Sequence, residues 1–118
     1  MAYDDNNVFA KILRGEIPAK PIYEDEFALA FNDIRPQAPI HVLVIPKGKY
    51  VAVDDFGAQA SAEEIAGFWR AVSRVAELVG ATGDGFRLIC NSGPNSLQEV
   101  PHFHAHILGG KRFGAMLV

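Results

Sequence analysis

Only one stretch of this chain, Ser61 to Val79, reads as a long amphipathic helix, whereas five separate segments read as strands. Parallel neighbours each need a crossover of a dozen or more residues, usually a helix. One long helix cannot supply those crossovers, so the sheet it serves must pair largely antiparallel. The order is a short helix, three strands, the long helix and two strands, with short connections. At 118 residues the chain is one domain by length. The expectation is a single α+β domain over residues 1–118: a five-stranded, mostly antiparallel sheet with one long and one short helix on one face.

The long helix opens on a capping box, in which Ser61 caps and Glu64 reaches back. It ends at Gly80, and Ile65, Phe68, Val72, Val75, Ala76 and Val79 line one face. The short helix covers about Asn6 to Arg14, capped by Asn7 or Asn6 and ended by Gly15. Pro18 and Pro21 enforce an extended turn. Pro21 to Asn32 reads as a hairpin turning at Glu24-Asp25-Glu26. Ile40 to Ile45 is a nearly continuous apolar run, which suits a strand covered on both faces. Tyr50 to Ala60 is an acidic connection of no defined shape. Gly85 to Asn91 and Val100 to Leu108 supply the last two strands, with a loop from Ser92 to Gln98 between them.

Fourteen acidic residues against eleven Lys and Arg give a net charge of -3. That balance argues against a partner as anionic as a nucleic-acid polymer, although a single nucleotide remains a suitable ligand. One cysteine, Cys90, excludes an intramolecular disulfide framework and a Cys-rich zinc module. It reads as a buried strand residue. No apolar run suits a signal peptide or a membrane span, so a cytoplasmic setting is expected.

Three of the four histidines lie at alternate positions, His102, His104 and His106, within the last strand. Alternate residues share a strand face. The three imidazoles therefore form a row, about 6.6 Å apart at Cα, while Phe103, Ala105 and Ile107 face the core. Three chemistries suit such a row. It can be a solvated polar face. It can hold a metal ion, with His41 as the one histidine left to complete the set. It can also serve nucleophilic catalysis, because a neutral imidazole attacks phosphorus and splits a hard displacement into two easier ones.

His102-Phe103-His104-Ala105-His106-Ile107-Leu108 resembles the H-φ-H-φ-H-φ-φ signature (φ apolar) of the HIT, or histidine triad, family. The similarity extends to Phe9-Ala10-Lys11-Ile12, Glu16-Ile17-Pro18-Ala19, Phe31-Asn32-Asp33-Ile34 and Pro36-Gln37-Ala38-Pro39-Ile40-His41. It continues through Asn91-Ser92-Gly93, Gln98-Glu99-Val100 and Leu108-Gly109-Gly110. Together these segments look like the nucleotide-binding-protein branch of that family. The resemblance implies hydrolysis of purine nucleoside phosphoramidates or related nucleoside monophosphate derivatives, with no metal and no cofactor. Dinucleoside polyphosphate hydrolysis and non-catalytic nucleotide binding are the alternatives.

By the same resemblance, His104 is the nucleophile on the α-phosphate, and His106 contacts the phosphate oxygens. His102 and His41 orient His104 and relay protons. Asp33 receives the ribose hydroxyls, although alone it also reads as a turn residue. Val8, Phe9, Ile12, Phe31 and Ile34 form an apolar slot for the base, beside Asn32. Asn91 and Gln98 face the ligand. Glu99 stands where some relatives have a serine that assists the leaving amine, and Pro94 to Leu97 stands where many relatives have a glycine pair before the glutamine. The ligand implied is an AMP-like purine nucleotide, and the assembly implied is a homodimer joined across the long helix and the second-last strand.

Overall fold

The computed structural model describes residues 2–116. Asn7 caps α1 (Val8–Leu13), its side-chain oxygen accepting from the Ala10 N–H at 2.9 Å. Gly15, at φ +78, turns the chain away from it. Strands β1 (Pro21–Glu24) and β2 (Ala28–Asn32) form the expected hairpin, and β3 (Ile40–Pro46) follows. Helices α2 (Val53–Gln59) and α3 (Ala62–Leu78) come next, then β4 (Arg87–Ile89) and β5 (Ala105–Gly109). Every pairing is antiparallel and the sheet order is β1-β2-β3-β5-β4. The last strand thus lies in the interior of the sheet, between β3 and β4.

The two faces of β3 are both covered, as its apolar run requires. Val42 and Val44 join Ala28, Ala30, Ala105, Ile107, Phe56, Phe68, Val72 and Val75 in the main core, under α2 and α3. Leu43 and Ile45 point the other way and pack with Leu29, Phe31 and Phe9 of α1. The helices are therefore not all on one face: α1 covers the second face, because Phe9, Ile12 and Leu13 have that apolar strip to bury.

Three further expectations need correction. The second-last strand is Arg87–Ile89, shorter than Gly85 to Asn91, and Cys90 lies half-buried just beyond it. The segment from Tyr50 to Ala60 contains a third helix, α2. Its N-cap, Ala52, has no side-chain acceptor, so the usual signal is missing. Asp55 instead receives the Val51 and Ala52 N–H groups at 2.8 and 2.7 Å, and Phe56 alone anchors the helix in the core. The last strand is also shorter than Val100 to Leu108. Pro101 has no N–H to give, and the Phe103 N–H leaves the ladder to bond the Tyr50 carbonyl at 2.7 Å. Phe103 still points into the main core, stacked on Phe56 at 4.9 Å between centroids, so the alternation of faces survives without strand pairing.

Gly67 lets α3 approach the hairpin. A Cβ there would overlap the Phe27 ring. In an open helix Gly→Ala gains about 1 kcal/mol, but overpacking costs about 1–3 kcal/mol. Gly67→Ala is therefore expected to lower stability in urea unfolding, and a more stable variant would contradict this packing.

Candidate active site

On the α1 face an open cavity of about 900 Å³ runs between α1, the β2–β3 corner and the segment before β5. Val8, Phe9, Ile12, Phe31, Asn32, Asp33, Ile34, His41, Asn91, Glu99, His104 and His106 all line it. Two residues expected to face it do not. Gln98 is turned into its own loop: its oxygen accepts the Gly93 N–H, and its amide donates to the Val51 and Val100 carbonyls. His102 is fully buried behind the cavity wall.

The hydrogen bonds fix which nitrogen of each ring carries its proton. A carbonyl only accepts, so the His104 Nδ1, 2.7 Å from the His102 carbonyl, must be the protonated nitrogen. The His104 Nε2 is left with a free lone pair. An amide N–H only donates, so the His41 Nδ1 accepts from Gln37 at 3.0 Å, and its Nε2 carries the proton. That Nε2 lies 2.9 Å from the His106 Nδ1. His106 accepts there and keeps its own proton on Nε2. One imidazole thus offers a lone pair while its neighbour, 5.0 Å away between ring centroids, offers an N–H.

His41 therefore orients His106, and not His104 as the resemblance implied. His102 meets His104 through its backbone carbonyl. Its own ring donates from Nε2 to the Pro46 carbonyl at 2.8 Å and accepts the Tyr3 hydroxyl on Nδ1 at 2.5 Å. Tyr3 and the Gln37 amide carry no motif that reveals these partnerships from sequence. Asp33 divides its carboxylate. One oxygen accepts the Arg35 N–H at 2.8 Å, as a turn residue would, and the other lies 3.4 Å from the His41 Nε2. The Phe9 ring stands edge-on to His104 at 5.0 Å and fixes its plane.

Asp33, His41 and His106 bring three ligand atoms within 4.8 Å of one another. A cation there would have to replace the His41–His106 hydrogen bond and its proton, so the arrangement suits a proton better than a metal.

Burial disfavours the charged form of each buried ring. It pushes His102 and His106 down from 6.5 to about 4, with neighbouring imidazoles adding to the effect. It also lowers His104, against the opposing pull of the His102 carbonyl and the Asp33 and Glu99 carboxylates. All three rings are neutral at pH 7. Because these folded values lie below 6.5, the unfolded chain binds more protons between the two. Stability is then complete above about 6.5 and is lost as pH falls towards 4, with His102 alone contributing on the order of 3 kcal/mol. Urea unfolding across that window should show the decline, and a flat profile would refute neutral burial.

The HIT domain family model matches residues 14–113. An uncharacterized 13.2 kDa HIT-like protein of Azospirillum brasilense is 58% identical over 98% of this chain and 94% of its own length. The purine nucleoside phosphoramidase of Escherichia coli K12 is 40% identical over 96% of this chain and 94% of its own length. Among solved structures, a HIT family hydrolase from Clostridium thermocellum superposes with a TM-score of 0.88 at 39% identity, covering 98% of this chain and 99% of that one. Sequence, topology and the histidine cluster agree, and this chain belongs to the HIT domain family.

Proposed function

We propose that this protein hydrolyses purine nucleoside phosphoramidates, or related nucleoside monophosphate derivatives, through a covalent nucleotidyl-histidine on His104. The observation that carries this reading is the bond from the His104 Nδ1–H to the His102 carbonyl, which leaves Nε2 unprotonated in a neutral ring that lines the cavity. That lone pair forms an N–P bond as the P–N bond to the amine breaks, and the amine takes a proton from water. The hydroxide left by that water then attacks phosphorus, breaks the N–P bond, releases the nucleotide and frees His104. The His106 Nε2–H donates to a phosphoryl oxygen as charge grows there.

The rest of the cavity suits a nucleotide. Val8, Phe9, Ile12, Phe31 and Ile34 flank the base, with Asn32 beside them, and the Asp33 carboxylate receives ribose hydroxyls. Asn91 lies within reach of the phosphate end. The likeness to the E. coli phosphoramidase supports the same chemistry. Glu99 on the wall disfavours a polyphosphate leaving group by like charge, which weighs against dinucleoside polyphosphates. Trp69 of α3 and Phe86 and Leu88 at the β4 edge are exposed, which supports a homodimer across α3 and β4. We place this activity in the cytoplasm; among the described residues no helix is long and apolar enough to cross a membrane.

AMP release from adenosine 5'-phosphoramidate tests the reading, with both wild type and His104→Ala stripped by chelator. Wild type should turn over and the variant should lose about 10³-fold or more. Activity that disappears with chelator and returns with added metal would instead favour metal-dependent hydrolysis. A stripped wild type that binds AMP but releases none would make this a binding module. Because burial lowers His104, the acid limb of kcat/KM should fall below the ordinary histidine value of 6.5, and a limb centred above that value would contradict a buried neutral nucleophile.

A further inference from the structure

His102 does not line the cavity, yet it is held on every side. Its ring is fully buried. The Nε2–H donates to the Pro46 carbonyl at 2.8 Å, and Nδ1 accepts the Tyr3 hydroxyl at 2.5 Å. The peptide that joins it to Phe103 is bonded at both ends. The His102 carbonyl accepts the His104 Nδ1–H at 2.7 Å, and the Phe103 N–H donates to the Tyr50 carbonyl at 2.7 Å. Both ring nitrogens of His102 are thus taken by groups other than His104. The ring passes no proton to that residue. What His102 supplies is the place of its carbonyl.

Pro46 and Tyr50 hold His102 from the segment that leaves β3. Tyr3 holds it from the segment ahead of α1, and that segment is itself fastened. The Asn7 side-chain amide donates to the Asp4 carbonyl at 2.7 Å, and Arg14 donates to the Asp5 carbonyl at 2.8 Å. Lys49, just past β3, pairs with the Asp5 carboxylate at 2.8 Å. The half-buried Tyr3 ring stands edge-on to the His102 ring, 5.6 Å between centroids. Burial raises the Tyr3 pKa, so the hydroxyl keeps its proton to donate.

We propose that Tyr3 is a positioning residue: its hydroxyl, acting through the His102 ring, keeps the His102 carbonyl where it aims the His104 lone pair into the cavity. Without that hydroxyl the buried ring retains one hydrogen bond of two. A buried acceptor left without a partner is costly, so the ring shifts to find another, and its carbonyl moves with it. His104 depends on that carbonyl to keep its proton on Nδ1 and its lone pair on Nε2. Tyr3 does not line the cavity, so its effect falls on the chemical step and not on nucleotide affinity. The consequence for rate rests on the phosphoramidate reading, whereas the consequence for the His104 ring does not.

The experiment uses Tyr3→Phe, which keeps the aromatic ring and removes only the donor. Three quantities are compared with wild type at pH 7: kcat for adenosine 5'-phosphoramidate, Kd for AMP, and the nitrogen NMR signals of the histidine rings. Misplacing a reacting group by about 1 Å can cost about 10²-fold, so a partial displacement should lower kcat by about tenfold. The Kd for AMP should stay at the wild-type value. The protonated Nδ1 signal of His104, single in wild type, should weaken as Nε2 takes a share of the proton. A purely structural role would lower Tm and leave that signal as it is. An unchanged kcat would overturn the proposal. So would an unchanged His104 signal, or a loss of AMP affinity that matches the loss of rate. If wild type releases no AMP, the phosphoramidate reading fails, and the His104 signal alone decides the role of Tyr3.

Discussion

The main chain decides which nitrogen of His41, His102 and His104 carries the proton. His104 is held by the carbonyl of His102, His41 by the amide of Gln37 and His102 by the carbonyl of Pro46. A carbonyl cannot donate and an amide cannot accept. These three bonds therefore set the tautomers without the help of any ionised side chain. Their partners belong to the strands or to the loops that end them, so the protonation pattern is tied to the sheet itself. The site needs no counter-charge to keep the His104 lone pair available, because burial favours the neutral form of that ring.

The packing explains why this is stable. A row of imidazoles on a strand is a poor core, but it occupies only the α1 face. Phe103, Ala105 and Ile107 face the other way into a core closed by Phe56 and Phe68. The segment from Phe103 through β5 thus anchors the fold through one set of side chains and turns the other set towards the cavity. Phe9 joins the two concerns, since it fills the smaller core and stands edge-on to His104.

Much of this was legible because it is local. The Asn7 cap, the Ser61–Glu64 box, the positive φ of Gly15 and Gly80, and the alternation around His104 are all written within a few residues. The resemblance to HIT proteins led to most of the residues that line the cavity. What was not legible is non-local or lacks a side-chain signal. α2 begins at an alanine that cannot cap, and only Asp55, three residues on, compensates for it. The partner of His102 is Tyr3, 99 positions away. Gln98 lies beside the motif in sequence yet stitches its own loop. The side on which α1 packs follows from the apolar residues of β2 and β3 that it covers, and not from its own pattern.

The sheet order has a consequence for how such a chain comes into being. β5 is the last strand to be made, yet it fills the gap between β3 and β4. Until it emerges from the ribosome, β3 has one open edge and an apolar face, and β4 has no neighbour at all. Unpaired edges of this kind invite association between chains. The nascent protein passes through its most aggregation-prone form just before it acquires β5. Pressure against misfolding therefore falls on the few residues that directly follow His104.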